Sequence, residues 1–338
     1  MTQLRAKRAW LGIAVSILAL LVLLRGIQYA EVLETLKSAR LAYLALAMVW
    51  LLASFLVMAF RWKYLLLPIK SVRVGPLLST IIVGYFFNSI LPARAGEVVR
   101  AYLLARREDC SAATIFATVV LEKVLDGLCV LLFLAFSLLL IPAPLWVRSI
   151  AYLAGLIFLG CLVVLLGLAY WREPALGLLA AMLRPLGPVQ KRVSGLAGSF
   201  AEGLETLRHP RAAVMAVLLS PLVWANVALM FTCGLLSFDI HLSLGAVLFV
   251  TALVNLGLVV PASPGYLGTY QLLSVAALGV FGIDRNLGLA FALLFHACQL
   301  LFNTVLGLAL FWRESLALNV TPGRALLEAV STGESNQS

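Results

Sequence analysis

The chain has 338 residues, 63% of them hydrophobic and 12% charged, with a mean hydropathy of +1.04. A soluble domain carries about twice that charged fraction, so the composition excludes a mainly soluble protein and defines an all-α, polytopic integral membrane protein. The net charge of +10, from 25 Lys and Arg against 15 Asp and Glu, is then the basic bias of cytoplasmic loops rather than a nucleic-acid footprint.

In chain order, Arg5, Lys7 and Arg8 precede the apolar run Trp10–Leu24. The arrangement resembles a secretory signal, but no small-x-small cleavage site follows, so it reads as a retained first span. Leu41–Phe60 is the next span, closed by Arg61-Trp62-Lys63. Two readings of Arg61 stand side by side. It is either a snorkelling anchor beside an interfacial Trp or a partner for Glu97, Glu122 or a lipid phosphate.

Val74–Leu104 is apolar but broken by Asn88-Ser89-Ile90-Leu91-Pro92-Ala93-Arg94-Ala95-Gly96-Glu97. Irregular backbone at membrane depth leaves unpaired N–H and C=O groups, each costing on the order of several kcal/mol in hydrocarbon. It persists where protein or a water-filled cavity satisfies those groups. Arg94 and Arg100 suit a phosphate, because a guanidinium donates bidentately. Glu97 would balance them or bind an amine. The plain alternative is exposed loop charge.

Ala112–Ile141 carries Glu122, Lys123 and Asp126. Glu122 and Asp126 share a helix face at i, i+4, and Lys123 can neutralise Asp126 at i, i+3. Ionisable groups inside a span face the bundle interior and mark a pathway, unless they form a salt bridge that only orients the helix. Trp146–Tyr170 is a further span. In the basic stretch 172–210, Val193, Leu196, Ala197, Phe200, Leu204 and Leu207 fall on one face, as in a helix lying flat in the inner interface.

Arg211–Leu236 spans again. Leu244–Phe281 then holds a second break, Asn255-Leu256-Gly257 followed by Pro261-Ala262-Ser263-Pro264-Gly265-Tyr266-Leu267-Gly268, with Tyr270 and Gln271 close by. In the last span, Leu287–Trp312, His296, Gln299 and Asn303 fall at i, i+3, i+7. That stripe serves interhelical hydrogen bonding or lines a substrate path. The tail, 316–338, is polar and expected to be disordered.

Loop charge sets the topology. If Val74–Arg107 enters and leaves on one side, the basic loops agree, with only Arg25, Lys37, Arg40, Arg148 and Arg285 outside and Lys123 within a span. This gives six to eight spans, one or two re-entrant hairpins and both termini cytoplasmic. Whether 244–281 is one hairpin or two crossings stays open. The hairpin reading makes 41–141 and 211–312 inverted repeat halves whose broken elements meet near the midplane.

The five cysteines stand singly, without metal-ligand spacing, and three scattered histidines give no cluster. No metal or cofactor is expected. There is no P-loop and no nucleophile elbow, which argues against ATP-driven transport and, more weakly, against an enzyme.

Taken together, Arg61-Trp62, Gly84-Tyr85-Phe86-Phe87-Asn88 running to Leu91-Pro92, Gly96-Glu97 with Arg100, Glu122-Lys123-x-x-Asp126, and Pro261-x-x-Pro264-Gly265-x-x-Gly268 resemble a known family over roughly residues 10–315. It is the transmembrane, flippase-like domain of lysylphosphatidylglycerol synthases. The resemblance implies an inner-membrane protein that moves a polar-headgroup lipid between leaflets. It is to a stand-alone member of one domain, 1–315. With no soluble aminoacyl-transfer domain following, lipid aminoacylation is not expected. Lys123 stands where an Arg is common, which weakens bidentate phosphate binding there.

The expected function is lipid translocation. A groove formed by Arg61, Asn88, Arg94, Glu97, Arg100, Glu122, Lys123 and Asp126 would face Ser263, Gly265, Gly268, Tyr270 and Gln271, with His296, Gln299 and Asn303 beside them. The alternatives are a membrane enzyme acting on polyprenyl or phospholipid headgroups and a non-transporting partner of lipid-biosynthesis enzymes. A homo-oligomer is left open.

Overall fold

The structure, a computed structural model, describes residues 29–91, 94–141, 145–184, 188–259 and 263–317. The first span at Trp10–Leu24, Pro92-Ala93, Pro261-Ala262 and the tail from 318 lie outside the described residues. What is described is helical apart from short turns. The helices are α1 (Tyr29–Ser38), α2 (Leu41–Leu66), α3 (Val74–Ile90), α4 (Gly96–Glu108), α5 (Ala112–Leu140) and α6 (Leu145–Tyr170). They continue with α7 (Arg172–Met182), α8 (Pro188–Gly203), α9 (Pro210–Leu236), α10 (Leu244–Gly257), α11 (Thr269–Gly279) and α12 (Arg285–Ala317).

Among the described residues five helices are long and apolar enough to cross a membrane: Leu41–Leu66, Ala112–Leu140, Val147–Tyr170, Pro210–Leu236 and Arg285–Arg313. Each falls on a run expected to span. The chain is thus an all-helical polytopic membrane protein. Side chains such as Leu139, Leu156, Val163 and Val305 stand exposed on its outer surface, as suits a surface that meets lipid rather than water.

The two broken regions form a different kind of element. At 1.5 Å per residue, the 17 residues of α3 and the 14 of α10 reach only about 25 and 21 Å, short of the ~30 Å hydrocarbon layer. Each folds back on a shorter helix, α3 on α4 and α10 on α11. The order long, short, short, long therefore occurs twice, as α2–α5 and as α9–α12.

The hairpins come from opposite ends of the molecule. Lys70, just ahead of α3, donates to the Glu108 carbonyl at the end of α4, so the base of the first hairpin sits beside the start of α5. Gly245, at the start of α10, lies against the Leu140 side chain at the other end of α5. The tips meet between these bases. Arg94 Nη2 donates to the Leu258 carbonyl at 2.9 Å, and a Cβ on Gly265 would stand 3.1 Å from the Ser89 carbonyl oxygen.

The close approach of α3 and α4 rests on glycine. A Cβ on Gly96 would lie 2.0 Å from the Gly84 carbonyl oxygen and 2.6 Å from Asn88 Oδ1. The basic stretch after α6 is also tied down. Gly203 ends α8 against the Thr114 carbonyl of α5, and Thr206 donates to the Leu65 carbonyl of α2. Leu204 is fully buried there while Leu196 is 56% exposed, so only one end of the expected apolar face is packed.

Gly96→Ala is expected to destabilise by about 1–3 kcal/mol or more, because the clash is with backbone. Gly75→Ala in α3, where a Cβ meets nothing within 4 Å, should be neutral or mildly stabilising. Thermal unfolding followed by size-exclusion chromatography of the two variants checks this.

Candidate functional site

Six charged side chains from α2, α4 and α5 close into one network. Arg61 is fully buried, which settles its two readings against a snorkelling anchor. α2 continues past it to Leu66, and the guanidinium turns inward. Its Nη1 lies 2.7 Å from Asp126 Oδ1 and its Nη2 3.3 Å from Glu122 Oε1; Nη1 also donates to Ser220 Oγ of α9 at 3.0 Å.

Arg100 reaches Glu122 Oε1 at 3.0 Å and Glu97 Oε2 at 2.7 Å, and its guanidinium lies 4.9 Å from the centre of the Trp62 ring. Lys123 Nζ completes the set, 3.2 Å from Glu97 and 3.5 Å from Asp126. Three cations therefore face three carboxylates.

The local fold explains the arrangement. On α5, Glu122 and Asp126 share a face and present their oxygens to α2 and α4 together. On α4, Glu97 and Arg100 are i, i+3 and bond to each other. The Gly84–Gly96 crossing brings α4 close enough for Asn88 Nδ2 to reach Glu97 at 3.4 Å. From α9, Trp224 Nε1 donates to Asp126 Oδ1 at 3.2 Å.

Beside this network lies a cavity of about 250 Å³ between the hairpin tips. Its lining includes Asn88, Arg94, Glu97, Lys123 and Asp126 together with Gly265, Tyr270, His296, Gln299 and Asn303. Arg61, Arg100 and Glu122 stand behind that wall rather than in it. The guanidinium of Arg100 is held by Glu97 and Glu122 and the side chain is only 1% exposed, so of the two arginines expected to meet a phosphate only Arg94 lines the cavity.

Three more residues named from sequence, Ser263, Gly268 and Gln271, shape the second tip from outside the lining. Ser263 Oγ donates to the Leu267 carbonyl at 3.0 Å. Gly268, at φ 84°, begins α11, and its N–H donates to Gln271 Oε1 at 2.7 Å. Gln271 Nε2 lies 3.1 Å from His296 Nδ1. His296 also stacks on Tyr270 at 4.2 Å, whose hydroxyl accepts from Gln299 Nε2 at 3.2 Å. The polar stripe of α12 thus bonds to α11 and borders the cavity at once.

Other lining residues escaped the sequence reading as site residues. Asn255 and Tyr266 lie inside the second broken motif and Tyr85 just ahead of the first, so their neighbourhood was the signal. Trp224 and Phe158 also line the cavity, but they sit on plain apolar helices, where nothing in the sequence separates them from lipid-facing aromatics. Among the described residues no cluster of His, Cys, Asp or Glu could hold a metal ion.

The fold and this charged, partly enclosed cavity define a polytopic helical membrane protein with two broken hairpins meeting over a polar site. The chain belongs to the family described as the lysylphosphatidylglycerol synthase TM region, whose model matches residues 9–307. It is 25% identical over 350 residues to glycosyltransferase AglD of Haloferax volcanii, covering 94% of this chain and 55% of that protein. It is 26% identical over 139 residues to UPF0104 membrane protein MJ1595 of Methanocaldococcus jannaschii, 40% of this chain and 41% of that one. The chain spans about half the length of the curated relatives it matches. No solved structure matches it.

Glu122→Gln is expected to cost about 3–5 kcal/mol, because it leaves Arg61 and Arg100 facing too little negative charge in a buried place. Adding Arg100→Met should recover part of that loss, since the two sites are directly coupled. Denaturant unfolding of the single and double variants measures the coupling.

Proposed function

We propose that the protein is a lipid translocase of the cytoplasmic membrane, taking a phospholipid or another polar-headgroup lipid between leaflets. One observation carries this: two broken helical hairpins, based at opposite ends of α5, meet tip to tip around a polar cavity. Broken helices at corresponding places in two halves are how many carriers build a midplane substrate site. The site holds a headgroup while acyl chains stay among the exposed apolar side chains outside.

The repeated order of helices supports reading 41–141 and 211–312 as inverted halves. The short lengths of α3, α4, α10 and α11 support reading both hairpins as re-entrant, and the basic loops favour a cytoplasmic location for both termini. The family's name ties this membrane region to a synthase of a modified phospholipid, in keeping with a lipid substrate. Movement would be a rocking of the two halves about the tip contact, with the neutral network of α2, α4 and α5 moving as one body.

Leaflet transfer of fluorescent phospholipids in proteoliposomes, read by dithionite quenching, tests the proposal. Wild-type protein should transfer lipid well above empty vesicles. Asn303→Leu, which puts an apolar group in the cavity wall, should slow transfer about tenfold or more without altering unfolding. Transfer at the wild-type rate in both Asn303→Leu and Glu97→Ala would remove this site from the pathway.

A further inference from the structure

We infer that the cavity is a receptor for a singly anionic phosphate headgroup without an amine, and that Arg94 is the residue that makes it so. The inference rests on the translocase reading for its setting, but on charge bookkeeping within the cavity for its content.

The three carboxylates near the cavity are already matched. Glu97 faces Arg100 and Lys123. Asp126 faces Arg61 and Lys123 and also accepts from Trp224. Glu122 is fully buried between Arg61 and Arg100. An ammonium group entering the cavity would find no uncommitted carboxylate among these three and would have to displace Lys123.

Arg94 is in the opposite position. Among the described residues no carboxylate stands within ion-pair distance of it. Its guanidinium donates to a neutral carbonyl, that of Leu258, at 2.9 Å and lies 5.6 Å from the centre of the Tyr266 ring, while its Nε is buried without a hydrogen-bond partner. A cation whose partners are a carbonyl and the ring and hydroxyl of Tyr266, with Glu97 near but beyond ion-pair distance, has room for a stronger one. A charge-assisted bond to a phosphate oxygen is roughly twice as strong as a neutral one, and the planar fork suits two such oxygens.

Two buried amides border the same cavity. Asn88 and Asn303 line the cavity, each 9% exposed, and each carries an Oδ1 with no donor. For Asn88 the assignment is fixed chemically, because its Nδ2 is used on the Glu97 carboxylate. Its Oδ1 is packed against Gly96 at the α3–α4 crossing, so Asn88 is committed to the hairpin and offers the ligand no free group. A phosphate diester with a neutral headgroup gives Arg94 an anionic partner and adds no second cation, whereas choline or ethanolamine esters bring a cation toward Lys123, whose carboxylate partners are already matched. Arg94 also joins the hairpin tips through Leu258, so phosphate would compete with that carbonyl and loosen the contact as it binds.

The test is equilibrium binding to the purified full chain in neutral detergent, measured by isothermal titration calorimetry. The probes are dihexanoyl phosphatidylglycerol, dihexanoyl phosphatidylcholine and inorganic phosphate. Phosphatidylglycerol should bind about tenfold or more tighter than phosphatidylcholine. That preference should be lost in Arg94→Gln and partly restored in Arg94→Lys. It should persist in Arg40→Gln, which removes an equal charge from an exposed ion pair with Asp239.

Equal binding of the two lipids would overturn the inference, as would an Arg94→Gln protein that keeps the preference, with its folding verified by thermal unfolding. Inorganic phosphate binding as tightly as phosphatidylglycerol would make this a free-phosphate site and overturn the lipid assignment. Because the readout is binding, it separates from the translocase reading. Transfer without charge preference sinks only this inference, and anionic preference without transfer sinks only that reading.

Discussion

The structure depends on charge neutrality inside a low-dielectric bundle. Moving a single carboxylate or ammonium from water into a medium like a dry protein interior costs on the order of 20 kcal/mol in the ideal limit, and still several kcal/mol after relaxation. Glu122 and Asp126 lie well inside α5, roughly 15–20 Å from its start. They can be there only because Arg61, Arg100 and Lys123 are brought to them from α2, α4 and α5 itself. Each helix contributes to a set that balances only when complete. The network thereby fixes the depth of the first hairpin against two long helices and ties its position to theirs.

That constraint explains why the backbone is broken where it is. A straight span through α3 would carry Glu97 and Arg100 past the carboxylates of α5; turning back after Ile90 returns them. The return needs α4 to lie almost on the backbone of α3, which Gly84 and Gly96 allow. The second hairpin meets the first without a carboxylate, through Arg94, Gly265 and Tyr266. One contact of the molecule is therefore stiff and ionic, and the other is a junction of neutral groups with one cation. A bundle meant to rock would separate at the second and keep the first intact.

The spans, both breaks and the charged set on α5 were legible in sequence, because runs of about 20 apolar residues and ionisable groups inside them are rare and physically costly. Partners were not. Arg61 looked as much like an anchor as a network member, since the end of an apolar run is where either would stand; only the continuation of α2 to Leu66 and the placement of α5 decide it. Arg94 and Arg100 looked equivalent six residues apart, yet the helix beginning at Gly96 turns one inward to Glu122 and leaves the other at the tip. Whether 244–281 crosses once or twice had no charge signal. Only the helix lengths, fixed by tertiary packing, bear on it. Trp224 and Phe158 were invisible because an aromatic on an apolar span carries no mark of which way it faces.

The depth of the two tips in a bilayer bears most directly on this picture. Nitroxide labels on cysteines at Ile90 and Leu267, both about half exposed and one on each tip, can be placed by relaxation from lipids labelled along their chains, with a native-cysteine-free background. Both labels near the bilayer centre, at similar depth, is the result expected of hairpins that meet inside the membrane from opposite sides. Labels at headgroup depth, or on opposite faces of the bilayer, would contradict it and make the two breaks ordinary loops.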